Sequence, residues 1–195
     1  GSQTQKLLAH STLPVLVASV ESNAAGSAAE AAVGIIKDEH RAIAAVIRGL
    51  RQGAAELRST APTPDLDFLE GLVQYLKTFP EVLHHPKEEQ FLFARLAARD
   101  AGSGDLIARL EAEHREGGAQ IQAIESHLAA TRGDPGGRGA LADAIDTFAE
   151  AQWRHLSTEE KLILPAARQH LHDADWQGIA DAFRQNAGVR VGSEQ

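Results

Sequence analysis

Two stretches of this chain place an imidazole and a carboxylate four residues apart, His84 with Glu88 and His155 with Glu159. On an α-helix, positions four apart lie about 40° round and about 6 Å up the axis, so each pair can face one point in space. The flanking residues keep the same register: Glu89 aligns with Glu160, Leu92 with Ile163, Phe93 with Leu164 and Ala94 with Pro165. Neutral imidazole nitrogen and carboxylate oxygen form a donor set that suits iron, manganese or zinc. Two such pairs in one chain suggest a shared metal site.

A second repeated element precedes each pair. Glu39-His40-Arg41 stands before the first and Glu113-His114-Arg115 before the second, at nearly equal separations. Brought together, His40, His84, His114 and His155 with Glu88 and Glu159 make a set that two metal ions can use, the imidazoles terminal and the two carboxylates spanning both ions. Two divalent ions bring four positive charges. Two carboxylates and a bridging hydroxide leave a small remainder that a half-polar core tolerates. Singly, each histidine reads as an ordinary core or surface residue; the joint pattern favours ligands.

The neighbours of these six read differently. With His84 in the ligand register, His85 is expected to turn to solvent, a role in orienting Glu88 or a bound water being the alternative. Glu89 and Glu160 carry the same ambiguity. Glu39 and Glu113 precede a ligand by one residue, point about 100° away and read as solvated. His10, His127, His170 and His172 have no partner at ligand spacing and are expected on the surface. Phe79, Phe91, Phe93, Phe148 and Trp153 recur at helical spacing and read as core, which also keeps a site dry.

Four helices are needed to position these residues. From Ala28 to about Arg58, Ala32, Ile35, Ile36, Ile43, Val46, Ile47 and Leu50 recur at three- and four-residue steps. After a Pro-rich loop, with Asp65 or Asp67 as cap, a second helix is expected from about Leu66 to Ala98, bent near Pro80 and Pro86. A third runs from about Asp105 to Thr131, a fourth from about Gly139 to Gln169, then a short helix near Asp173 to Asn186 and a polar tail at 188–195. The expected fold is all-α: an up-down-up-down four-helix bundle over residues 28–187 with a short fifth helix, preceded by a helix–strand appendage at 1–20 and a linker at 21–27.

Composition removes several alternatives. The 195 residues carry no Cys, so thiolate zinc sites, iron–sulfur clusters and disulfides are excluded and any metal is held by nitrogen and oxygen. A net charge of −8 without a basic run argues against nucleic acid as a partner. No stretch reaches the ~20 apolar residues of a membrane span. A signal peptide built on Lys6 and residues 13–18 is interrupted by His10, Ser11, Thr12 and Pro14, which leaves a cytoplasmic protein as the expectation. There is no Met even at position 1, so the chain is read as starting downstream of its natural initiator.

Residues Ala28 to Gln169 resemble a hemerythrin-like domain, of the branch named for its His-His-Glu pattern. The resemblance rests on His84-His85-Pro86-Lys87-Glu88-Glu89 followed by Phe91-Leu92-Phe93, and on His155 with Glu159, Glu160 and Pro165. The order His-x-x-x-Glu also separates the chain from ferritin-type bundles, which use Glu-x-x-His. The resemblance implies a non-haem di-iron centre, two iron ions with an oxo or hydroxo bridge, ligated by His40, His84, Glu88, His114, His155 and Glu159. Two positions depart from the oxygen carriers of that family. Gly118 stands where a second His would follow one turn after His114, and the second carboxylate is Glu159, four residues past its His, in place of an Asp at five. These departures put reversible oxygen carriage in doubt and leave a position at Gly118 for O2, peroxide or NO. Members with this ligand set are similar to iron or oxygen sensors, and some are linked to peroxide or NO handling. The leading expectation is a protein that binds or senses a small oxidant, a gas or iron status. A peroxide-removing di-iron enzyme and an interaction module with a structural metal stay open beside it.

Residues 1–20 are similar to the last helix and strand of a universal stress protein, with Gly1-Ser2 opening the helix and Pro14-Val15-Leu16-Val17 as the strand. An edge strand of this kind could pack on the bundle, support self-association through the N-terminal segment, or stay unfolded.

Overall fold

The computed structural model describes residues 28–59 and 65–185. The helix–strand appendage, the linker and the tail expected from the sequence lie outside the described residues. Within them every regular element is helical.

Helix α1 (Ala28–Arg58) buries Ala32, Ile36, His40, Ile43, Ile47, Leu50, Ala54 and Leu57, the stripe set by its apolar spacing. The second arm opens with α2 (Leu66–Thr78), started by Asp65, whose carboxylate accepts the Phe68 N–H at 2.9 Å. Past Thr78 the arm stays helical but changes register: a π-helical stretch Pro80–His84, the single turn α3 (His85–Lys87), a second π-helical stretch Glu88–Phe93, and α4 (Ala94–Arg99). Pro80 and Pro86 lack the N–H that an α ladder needs. The chain absorbs this by widening its turns: the His84 N–H reaches the Phe79 carbonyl at 3.1 Å and the His85 N–H reaches that of Pro80. Such π-turns are rare and concentrate at functional sites.

Asp100 turns the chain into the third arm by accepting the Gly102 N–H at 3.0 Å and the Ser103 hydroxyl at 2.6 Å. The third arm is α5 (Gly104–Gly133). The fourth is α6 (Arg138–Thr158), a π-helical stretch Glu159–Ile163, and α7 (Leu164–His170). Helix α8 (Asp173–Arg184) then packs along α1.

Two separate apolar cores hold the arms together. One joins Ile43, Ile47 and Leu50 of α1 to Leu69, Val73 and Leu76 of α2, Ile121, Ile124 and Leu128 of α5, and Leu141, Ile145 and Phe148 of α6. The other joins Ala32 and Ile36 of α1 to Phe93 and Leu96, Ile107 and Leu110, Ile163 and Leu164, and Trp176, Ile179 and Phe183 of α8. Consecutive arms therefore present opposite ends to each core. Cross-arm ion pairs such as Arg58 with Asp143 and Asp146 lie at the surface, where solvent and salt screen them, so burial of the two cores dominates. On every arm buried polar residues stand between the cores: His40; His84, His85 and Glu88; His114; and His155 and Glu159. No helix among the described residues is long and apolar enough to cross a membrane.

Candidate metal centre

The layer between the cores gathers all six expected residues. His40, His84, Glu88, His114, His155 and Glu159 are buried, together with His85. Each His-x-x-x-Glu pair closes on itself: His84 Nε2 lies 3.3 Å from Glu88 Oε1, and His155 Nε2 lies 3.2 Å from Glu159 Oε1. The two carboxylates also reach across. Glu88 sets Oε1 3.4 Å from His40 Nε2 and Oε2 3.6 Å from His114 Nε2. Glu159 sets Oε2 3.4 Å from His40 Nε2 and Oε1 3.8 Å from His114 Nε2. Each carboxylate thus offers one oxygen to the His40–His84 side and the other to the His114–His155 side.

A second ring of carboxylates backs the first. The opposite ring nitrogen, Nδ1, of His84 meets Glu39 at 2.7 Å, that of His114 meets Glu89 at 2.8 Å, that of His155 meets Glu113 at 2.9 Å and that of His40 meets Glu160 at 3.1 Å. Every link crosses from one arm to another. With Nδ1 committed to an outer carboxylate, each Nε2 is directed inward, the arrangement by which proteins orient metal-binding imidazoles. Phe79 stacks near His84 and Phe93 near His114, so the rings expected in the core also line the centre.

The inner atoms fit a cation. His84 Nε2, Glu88 Oε2 and both Glu159 oxygens are buried without a hydrogen-bond partner, and His114 Nε2 stands 3.0 Å from His155 Nε2. Buried polar atoms left this way are costly unless something else meets them. Protons meet part of the need. Burial disfavours the His84 imidazolium, yet Glu88, Glu39 and Glu159 outweigh it and raise His84 to about 10. Against the same burial, Glu159, Glu88 and Glu113 raise His155 to about 9. Burial and Glu88 push the Glu159 carboxyl up, while His155 and His114 hold it at about 2. Metal ions here would displace imidazolium protons and take their place as counter-charge.

The structure corrects the reading of the neighbours. His85, expected in solvent, is buried and stacks on His114 with ring centroids 4.0 Å apart. Glu39 and Glu113, read as solvated, hold His84 and His155. The physical reason is the width of the buried arc. A helix packed between two others faces both, so residues 100° apart both point inward: His84 toward His40 on α1, His85 toward His114 on α5. A signal was present, since an acidic residue sits beside a ligand candidate at equivalent places in both halves. The space beside Gly118 is also taken: a Cβ there would lie 2.9 Å from Glu81 Oε2. His127 and His170 are half-buried and His172 is exposed, apart from the cluster; His10 lies outside the described residues.

A helical bundle that carries a buried layer of imidazoles and carboxylates within 4.8 Å of one another has the donor set of a metal-binding protein. The sequence profile of the hemerythrin HHE cation-binding domain matches residues 31–167, and the chain belongs to that family. It is similar to an uncharacterized protein of Mycobacterium bovis, Mb2018, and to one of Mycobacterium tuberculosis, Rv1995, each 24% identical over 156 residues that cover 79% of this chain. The matched region spans 60% of the length of these curated relatives.

Proposed function

We propose that the centre holds two iron ions and that the protein binds or senses a small oxidant or gas, namely O2, peroxide or NO. In this reading His40 and His84 serve one ion, His114 and His155 the other, and Glu88 and Glu159 span both. The observation that carries it is the way each buried carboxylate divides its two oxygens between the two imidazole pairs. A single-ion site would leave one side of that symmetry idle. Iron bound there supplies one-electron chemistry toward O2, peroxide or NO. The protein's own residues position, shield and compensate: Glu39, Glu89, Glu113 and Glu160 fix the imidazoles, and the two apolar cores exclude bulk water. A cavity of about 460 Å³ beside the centre is lined by Lys37, Arg41, Trp153 and Glu160 and touches His40, which makes it the candidate approach for a small molecule.

The test is metal content per chain on freshly purified protein, with optical spectra in air and after anaerobic reduction. About two irons per chain and a near-ultraviolet band that bleaches on reduction are expected. Little metal after anaerobic iron loading of the folded protein would refute the reading. Sustained consumption of peroxide, beyond stoichiometric oxidation, would make the protein an enzyme.

A further inference from the structure

The cavity between α1 and the fourth arm is larger than a gas or a peroxide needs. Its volume of about 460 Å³ compares with the ~30 Å³ share of a water molecule, which O2 and NO resemble in size, and falls within the ~300–1,000 Å³ usual for sites that take small organic molecules. Its floor is apolar, formed by the buried Ala44 and Leu156 and the half-buried Trp153. Three cations, Lys37, Arg41 and Lys161, line it against one carboxylate, Glu160. Glu160 is committed to His40 Nδ1 at 3.1 Å and stands 4.0 Å from Lys37. Arg41 pairs only along its own helix, with Asp38, and no ion pair among the described residues holds Lys161. The cavity thus has a surplus of two positive charges in a chain whose net charge is −8. Two other cavities that touch the polar layer are biased the opposite way, one lined by Glu81, Glu89 and Arg115, the other by Glu113, Glu116 and Arg154.

We infer that this cavity binds an organic monocarboxylate with an apolar body, and so brings a molecule of that class against His40 at the edge of the polar layer. The body lies along Trp153 and Leu156, where burial of apolar surface supplies the affinity. The carboxylate lies among Lys37, Arg41 and Lys161, whose charge selects the sign of the ligand more than it adds to its affinity, because these side chains reach solvent. Each arm contributes to this polar rim: Lys37 and Arg41 stand four residues apart on α1, and Ser157 and Lys161 four apart on the fourth arm. The Arg41 guanidinium offers a fork that matches a carboxylate. Glu160, fixed to His40, repels a second negative charge, which favours a monoanion over a phosphate. The guanidinium of Arg48 lies 5.9 Å from the centre of the Trp153 ring and braces the indole that forms the apolar wall.

Every group in this site is a side chain of the protein, so the inference stands or falls apart from the two-ion reading. The probe is octanoate, titrated into the full chain as purified and after metal removal, with tryptophan emission as the readout and circular dichroism to confirm the helical fold. A saturable change is expected in both samples and should vanish in W153F, since Trp176 is buried in the second core. Octanol, which has the same body without the charge, should bind about 10-fold more weakly or worse. By calorimetry R41Q/K161Q should lose about 10-fold in octanoate affinity and the preference over octanol, each exposed charge being worth up to about 1 kcal/mol. R115Q, at the opposite cavity, should bind octanoate as wild type does. Equal affinity for octanoate and octanol, unchanged binding in folded R41Q/K161Q, or an octanoate signal that persists in W153F would overturn the assignment. So would inorganic phosphate binding as tightly as octanoate, which would show that the apolar floor contributes nothing. Saturable, charge-selective binding by metal-free protein upholds it whatever the iron content proves to be.

Discussion

The outer carboxylates make a graded prediction. Glu39, Glu89, Glu113 and Glu160 each hold the Nδ1 of one buried histidine, and their lengths span only 2.7 to 3.1 Å. They differ in exposure: the Glu39 side chain is 11% exposed, against 35% for Glu113, 37% for Glu160 and 40% for Glu89. Replacing Glu by Gln keeps the shape and an acceptor oxygen and removes the charge. A hydrogen bond to a charged group contributes about 1.5–3 kcal/mol and a neutral one about 0.5–1.5 kcal/mol, a difference of about 1–2 kcal/mol. At Glu39, shielded from water, that difference is felt in full, and E39Q should weaken one equivalent of metal about 5- to 30-fold. At the three half-exposed positions solvent and salt screen the charge more, so E89Q, E113Q and E160Q should each cost about 5-fold or less. Anaerobic Fe(II) titration against a chelator at low and high salt measures all four, with the exposed E150Q as control. The three smaller losses should shrink further in high salt and the E39Q loss should persist. Equal losses at all four positions, or none at Glu39, would refute the view that these carboxylates act electrostatically on the imidazoles.

Two further expectations concern stability. In metal-free protein His84 and His155 are raised to about 10 and about 9 from 6.5, so their contribution is complete below pH about 6.5 and is lost as pH rises through 9 to 10. Glu159, lowered to about 2 from 4.5, contributes above pH about 4.5 and loses that contribution as pH falls toward 2. His85, held neutral, opposes this as pH drops below 6.5. Denaturant midpoints should peak between pH about 4.5 and 6.5, toward the upper end, whereas iron affinity should climb with pH as protons are displaced; a midpoint that rises steadily to pH 10 would contradict the assignment. Among the helical glycines, Gly71 has open space where a Cβ would stand, so G71A should stabilise by about 0.5–1 kcal/mol. At Gly53 a Cβ would lie 2.3 Å from Cδ2 of the core residue Leu69, so G53A should destabilise by up to about 2 kcal/mol, overpacking exceeding the propensity gain in chemical denaturation.

Much of this architecture is legible in the chain because it is periodic. The stripe from Ala32 to Leu50 marks α1, and the polar stretches on either side of it, 21–27 and the Pro-containing 59–65, limit the helix to Ala28–Arg58. The six inner residues are legible because they repeat across the two halves of the chain. What spacing does not reveal is direction across the bundle. A single inward line per helix puts His85 and Glu39 in solvent, whereas an arm wedged between two neighbours buries a broad arc. The π-helical stretches were hidden for another reason. Pro80 and Pro86 signal only that two donors are missing, and a kink and a widened turn are alternative answers that differ by tertiary packing. Near Glu159 the only hint is Pro165, which stands beyond the widened turn. Helix α8 was expected by its pattern, but not that Trp176, Ile179 and Phe183 would complete the second core and bring Phe183 edge-on to His84 at 5.9 Å.

The placement of the polar layer bears on how the centre can be used. In small metal modules the ion supplies the folding energy, so an empty site is an unfolded protein. Here the apolar cores on either side of the layer are each continuous across all four arms, and neither includes a proposed ligand. Within the layer, Glu88 and Glu159 are held ionised by imidazolium partners, so protons can balance the buried carboxylates at neutral pH. Burying that many charges still carries a large desolvation cost, which well-placed ions offset better than scattered protons do. Fold and metal are therefore coupled but separable. Loading should tighten a bundle that already exists, and emptying should loosen the layer between two intact cores. Under the proposed sensing role, that separability would let the centre be filled, oxidised or emptied without unfolding the helices around it.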